Sequence, residues 1–107
     1  LGINPGIILF TDKAAKDKTK EIQAMYRAYN RAVDYLNTAP REDYIDFVIE
    51  KAGFPAAAKE ALKLPTYHKA VLPKEQDVTD CIKWLNAKDL VKETYGYDDL
   101  VINLLGE

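Results

Sequence analysis

The chain has 107 residues, of which 48% are apolar and 30% charged, a composition typical of a folded globular domain rather than a disordered segment. Fifteen basic and seventeen acidic residues give a net charge of -2, so no excess positive charge attracts a nucleic acid. With one cysteine, Cys81, and one histidine, His68, the chain can form neither an intrachain disulfide nor a zinc site of several such ligands. We expect a single domain over residues 1–107 that binds no nucleic acid, metal or cofactor.

The first predicted element is a strand over the apolar run from Ile7 to Thr11. An uninterrupted apolar run of this length is typical of a strand that is buried on both faces of a parallel sheet. The remaining sequence predicts no second strand, and a strand alone leaves its backbone N–H and C=O groups unpaired. We therefore expect the partner strands in another part of the protein, or in a second copy of the chain.

About five helices are predicted after this strand. The strongest covers about 19–37, where apolar residues recur at steps of three and four. The second begins at Pro40 and ends at Gly53, and a short third follows over 56–62. An extended segment over 64–73 precedes the last two helices, one opening at Pro73 and one capped by Asp98. The expected fold class is an α/β fragment, mainly α-helical, with one buried strand near the N-terminus.

The sequence offers little for catalysis. Cys81 and His68 could form a nucleophile and its base, but Cys81 lies on the apolar stripe of its helix and is expected to be a small buried hydrophobe. Asp43 and Asp46 fall on one side of the second helix, where a solvated face is the simpler interpretation. No glycine-rich phosphate loop or nucleophile elbow occurs. We expect no enzyme activity and no catalytic residues.

The order of the motifs resembles the carboxy-terminal stretch of a known family over nearly the whole chain. The motifs are, in chain order, Thr11-Asp12, YRAYNRAVDYLN at 26–37, AGF at 52–54, LPTY at 64–67, Leu72-Pro73, Asp77-Val78, Trp84-Leu85 and YDDLV at 97–101. The family is the type II solute-binding proteins of ABC importers, in the branch that takes nitrate, taurine, sulfonates and thiamine precursors. Each motif alone has low specificity, and their order carries the resemblance.

The resemblance implies a two-lobed receptor with the type II periplasmic-binding-protein fold, of which this chain is the carboxy-terminal segment. Such a receptor lies outside the cytoplasm, in the periplasm or lipid-anchored at the outer face of the membrane. It captures a small organic or anionic solute and delivers it to the permease subunits. Because the chain shows neither a leader nor a lipid-attachment cysteine, it would be a processed form or a fragment. An isolated fragment exposes apolar surface and can form a homodimer.

Within this interpretation the first candidates for contact with solute are Thr11 and Asp12, where the predicted strand passes into a helix. The carboxyl ends of strands are where ligand clefts form in α/β folds. Tyr67, which lies between prolines in the extended segment, is a second candidate. The alternative hypothesis is a self-contained helical module that binds another protein and no small molecule, using the exposed strand as its contact surface.

Overall fold

The structure is a computed structural model that describes residues 6–106. The α-helices are α1 (Asp12–Asp17), α2 (Thr19–Thr38), α3 (Arg41–Ala52), α4 (Glu75–Ala87) and α5 (Tyr97–Leu100), with a 3-10 turn at Ala56–Ala58. The chain divides into two compact units. Unit 1 contains the described residues up to Tyr26 and those from Val71 onward, and unit 2 contains Arg27–Ala70. Helix α2 begins in unit 1 and ends in unit 2.

The predicted buried strand is wrong. Residues 7–10 have no regular secondary structure, and no β-strand occurs anywhere in 6–106. The side chains of Ile7, Ile8 and Leu9 are 58%, 55% and 79% exposed. The apolar run indicated burial, but burial of both faces needs neighbouring strands, and the described chain supplies none. The expected α/β class, with its buried strand in a periplasmic-binding-protein-like fold, is therefore replaced by a mainly helical structure.

The core of unit 1 lies where α1, α2 and the C-terminal segment meet. It is formed by Ala15, Ile22 and Leu104, which are 8%, 6% and 7% exposed, with Phe10 and Tyr26 packed against them. The rings of Phe10 and Tyr26 are 6.4 Å apart in an edge-to-face arrangement, a favoured aromatic geometry. Phe10 is thus the one residue of 7–10 that is partly buried.

A break at Lys18 separates α1 from α2. Lys18 leaves helical geometry with φ -120° and ψ 26°. The hydroxyl of Thr19 donates to the carbonyl oxygen of Ala15 at 2.6 Å, which satisfies one acceptor at the end of α1. The predicted helix over 19–37 is confirmed, with one further residue at its C-terminus. The short α1 before it was not predicted as a separate helix.

Unit 2 buries one apolar residue of α2 and one of α3. Val33 of α2 is 4% exposed and Ile45 of α3 is 1% exposed. Helix α3 ends at Gly53, which has φ 73° and donates its N–H to the carbonyl oxygen of Glu50. This left-handed conformation favours glycine, as the sequence indicated. The predicted third helix over 56–62 is reduced to the 3-10 turn at Ala56–Ala58, and the following segment over 62–74 has no regular secondary structure.

Helices α4 and α5 belong to unit 1. Helix α4 ends in a turn in which Asp89 adopts a positive φ of 55°. The side-chain amide of Asn86 donates to the carbonyl oxygens of Val91 and Glu93 at 2.7 and 3.0 Å and holds the chain that follows. Helix α5 is capped at Gly96 rather than at Asp98 as predicted, and it stops at Leu100, before the buried Leu104.

Candidate functional site

Thr11 is the N-cap of α1. Its hydroxyl oxygen accepts the backbone N–H of Ala14 at 3.1 Å, and the carbonyl oxygen of Thr11 accepts from Ala15 at 2.9 Å. Both contacts are the ordinary ones that begin a helix. The hydroxyl hydrogen of Thr11 has no acceptor among the described contacts, so it could still donate to a ligand.

Asp12 is the first residue of α1, and its side chain is exposed. A shallow depression of about 260 Å³ lies nearby and is lined by Thr11, Lys13, Ala14, Asp17 and Lys18. Lys13 and Asp17 form an ion pair across it at 2.6 Å. The sheet edge that motivated Thr11 and Asp12 as ligand contacts is missing from 6–106. Their role as solute contacts therefore remains a prediction that rests on the resemblance.

Tyr67 is held in unit 2 through its backbone. The Asn37 side-chain amide donates to the Tyr67 carbonyl oxygen at 2.8 Å, and the Tyr67 N–H donates to the Asn37 Oδ1 at 3.1 Å. The side-chain amide of Asn37 thus forms hydrogen bonds with both the backbone C=O and the backbone N–H of Tyr67. The Tyr67 side chain is half-buried and takes no part in these two bonds. Its role as a ligand contact remains a prediction.

Two further side chains of α2 contact the residues that follow Tyr67. The Asn30 Oδ1 accepts the backbone N–H of Ala70 at 2.8 Å, and the Asp34 carboxylate pairs with the Lys69 ammonium at 3.3 Å. Asn30, Asp34 and Asn37 lie on adjacent turns of one face of α2, since they are three and four residues apart. We call this face, with its three side chains, the amide row. Asn30 and Asn37 sit inside the 26–37 motif, but the sequence did not indicate their partners.

Arg41 contacts the chain between the 3-10 turn and the segment over 62–74. Its guanidinium Nη2 donates to the carbonyl oxygens of Lys59 and Leu62, the latter at 2.9 Å. Lys59 in turn pairs with Asp46 of α3 at 2.6 Å. Side-chain to backbone bonds thus position the loop where no helix or sheet supplies backbone partners. The sequence analysis did not single out Arg41.

The residues that the sequence analysis considered for catalysis, Cys81, His68, Asp43 and Asp46, are all exposed. Cys81, expected to be buried, is exposed on α4, and Trp84 on the same helix is 57% exposed. Asp43 and Asp46 are exposed on α3, as expected for a solvated face. Among residues 6–106, no three histidine, cysteine, aspartate or glutamate side chains are grouped closely enough to hold a metal ion. No helix in this part of the chain is both long and apolar enough to cross a membrane.

The most conspicuous candidate surface is the apolar segment formed by Ile7, Ile8 and Leu9, each more than half exposed. No hydrogen bond to the backbone of these three residues is present. A second extended polypeptide can cover exposed apolar side chains and pair with the unpaired backbone groups beside them.

Comparison of the chain with protein-family models, with curated proteins and with solved structures found no match.

Proposed function

We propose that the chain is the carboxy-terminal part of an extracytoplasmic solute-binding protein, which captures a small organic or anionic solute and delivers it to an ABC permease. The observation that carries the proposal in the structure is the apolar segment at Ile7, Ile8 and Leu9, which has no covering partner in 6–106. In a larger receptor the covering polypeptide belongs to the receptor itself. The motif order in the sequence supports the same function.

The second candidate is a self-contained helical module that binds another protein. The observation that favours it is the set of contacts that closes unit 2 with its own residues, Asn37 to Tyr67 and Arg41 to Leu62 among them. In such a module the apolar segment contacts a separate protein instead of another part of the same receptor. The two candidates therefore differ in whether the polypeptide that covers residues 7–9 belongs to the same protein or to a separate one.

An immunoblot of fractionated native cells separates the two. An antibody raised against the 12.1 kDa chain should detect a species well above that mass in the extracytoplasmic or membrane fraction if the chain is part of a receptor. Mass spectrometry of small molecules that are retained by the purified species then identifies the solute. A species of about 12 kDa inside the cell, free of small molecules, would overturn the receptor proposal and leave the interaction module.

The solute-contact role of Thr11 needs matched variants in the species purified from cells. Thr11→Ser keeps the hydroxyl that caps α1, whereas Thr11→Val removes it. If the hydroxyl binds solute, Val weakens binding by about fivefold and Ser by little, since a hydrogen bond contributes about 1 kcal/mol. Asp12→Asn tests the charge in the same assay. Unchanged solute affinity in both Thr11→Val and Asp12→Asn would remove these residues from the site.

A further inference from the structure

Helix α4 carries four exposed residues along one face. Asp77, Cys81 and Trp84 lie within the helix, and Lys88 is its C-cap. They follow one another at steps of four, three and four residues, which places them on one side of the helix. All four are exposed, and Trp84, the only tryptophan of the chain, is 57% exposed. We call these four residues the α4 seam.

The spacing of the α4 seam is the one found where two helices pack along each other. In such pairs the contacting residues alternate at steps of three and four, so that one line of side chains keeps facing the partner helix. Trp84 lies near the middle of this line, and tryptophan is among the residues that most often dominate binding at protein interfaces. Because all four residues are exposed, no helix within 6–106 packs on the seam.

The two ends of the α4 seam carry charges of opposite sign. Asp77 and Lys88 form no ion pair within 6–106, and they lie equally far from the midpoint between Cys81 and Trp84. A second copy related by a twofold axis through that midpoint is antiparallel, and it brings its Lys88 to Asp77 and its Asp77 to Lys88. A parallel copy would instead set like charges against each other at both ends. The seam is therefore complementary to itself in the antiparallel orientation.

The centre of this antiparallel arrangement is apolar. The same twofold axis sets Cys81 of each copy opposite Trp84 of the other, and the small thiol side chain leaves room for the indole ring. The two ion pairs lie on either side of this centre, since Asp77 and Lys88 are separated by a helical rise of about 16 Å. An aromatic centre with a charged rim is the ordinary anatomy of a protein interface. The charges thus select the orientation, and Trp84 supplies most of the affinity.

We propose that the α4 seam binds a second copy of this chain, through a twofold antiparallel contact of α4 with α4. A second copy is the occupant whose charges match those of the seam at both ends. The contact involves one helix about 20 Å long, at the small end of interface sizes, so the dimer is weak, with a Kd between about 10 μM and 1 mM. The seam lies within unit 1 and does not include residues 7–9, and the inference does not depend on the proposed receptor function.

The test measures self-association of the full chain by sedimentation equilibrium at concentrations up to about 1 mM. Monomer and dimer should be in equilibrium, and the fluorescence emission of Trp84 should move to shorter wavelength over the same concentration range, because its ring leaves water. Trp84→Ala should weaken association by more than about tenfold. Phe47→Ala is the matched control, because it removes an aromatic ring that is 64% exposed in unit 2, and it should leave the Kd within about twofold.

Charge reversal tests the antiparallel orientation. Asp77→Lys or Lys88→Asp alone sets like charges together at both ends of the contact and should weaken association by about tenfold. The double variant Asp77→Lys/Lys88→Asp restores both ion pairs and should return to within about threefold of the parent. If these charges served only α4 itself, the double variant would be the most impaired, because lysine at the N-terminus and aspartate at the C-terminus both oppose the helix dipole.

Circular dichroism shows whether each variant is folded under the conditions of the association measurement. A folded parent chain that stays monomeric at about 1 mM would overturn the proposal, as would a dimer unaffected by Trp84→Ala or a double variant no better than the single ones. The fluorescence of the parent chain covers the case in which a variant does not fold. Dimerisation without a change in Trp84 emission would place the contact elsewhere, and the proposal would then fail.

Discussion

Helices α3 and α4 end in the same hydrogen-bonded turn but place different residues at its left-handed position. After α3, Gly53 has φ 73°, and the N–H of Phe54 donates to the carbonyl oxygen of Ile49 at 3.0 Å. After α4, Asp89 has φ 55°, and the N–H of Leu90 donates to the carbonyl oxygen of Leu85 at 3.0 Å. Both are Schellman motifs, in which glycine is the residue with the least strain. Opposite substitutions at the two positions should change stability in opposite directions.

The expected changes in the free energy of unfolding follow from the backbone conformation at the two positions. A Cβ at Gly53 would meet nothing within 4 Å, so Gly53→Ala adds only left-handed strain, about 1–2 kcal/mol. The lower entropy of the unfolded alanine chain offsets about 0.5–1 kcal/mol of that strain, which leaves a net loss of roughly 1 kcal/mol. Asp89→Gly has the opposite effects: it removes the left-handed strain and raises the entropy of the unfolded chain. Because aspartate tolerates this conformation better than alanine, the expected gain is smaller, roughly 0.5 kcal/mol.

The assay is urea unfolding followed by circular dichroism, with thermal melting as a second measure. A change of 1 kcal/mol corresponds to a shift in Tm of about 4–8 °C for a domain of this size. Asp89→Ala is the control, since it keeps the strain and removes the aspartate side chain, and it should lower stability by about 0.5 kcal/mol. A stabilised Gly53→Ala or a destabilised Asp89→Gly would refute the assignment of strain to these helix ends.

Three further outcomes follow from burial and hydrogen bonding. Ile45→Ala should lower the free energy of unfolding by about 2–4 kcal/mol because Ile45 is 1% exposed, whereas Phe47→Ala, at a position 64% exposed, should lower it by less than about 1 kcal/mol in urea titrations. Tyr97→Phe should cost about 1 kcal/mol by thermal melting, since the hydroxyl donates to the Pro73 carbonyl oxygen at 2.8 Å. Leu9→Asp should leave stability within about 0.5 kcal/mol and shift toward monomer any homodimer that forms through residues 7–9, as measured by analytical ultracentrifugation.

Local patterns predicted the long helices because their signals lie within a few residues. The three- and four-residue spacing around Val33 defined α2, and the glycine at position 53 marked the end of α3. Prolines at 65 and 73 indicated a break between helices, and residues 62–74 have no regular secondary structure. In each case the decisive interaction joins neighbours in the chain, so the sequence contains it directly.

Burial and long-range contacts could not be predicted in this way. Cys81 lies on an apolar stripe and was expected to be buried, yet it is exposed because no described element covers that side of α4. Asn37 and Tyr67 are thirty residues apart, and nothing in either neighbourhood indicates their bidentate contact. An asparagine in a helix is ordinarily a solvated residue, and only the folded chain shows what it binds.

The apolar segment at residues 7–9 links the fold to the two proposed functions, because its side chains are not buried. Fully burying a side chain such as Ile7, Ile8 or Leu9 contributes about 1.5–3 kcal/mol, and each of these is more than half exposed. Several kcal/mol are therefore unrealised in this chain, an amount comparable with the whole stability of a small domain. A polypeptide that buried these side chains would recover this free energy, and its attachment to the same receptor or to a separate protein would decide between the two proposed functions.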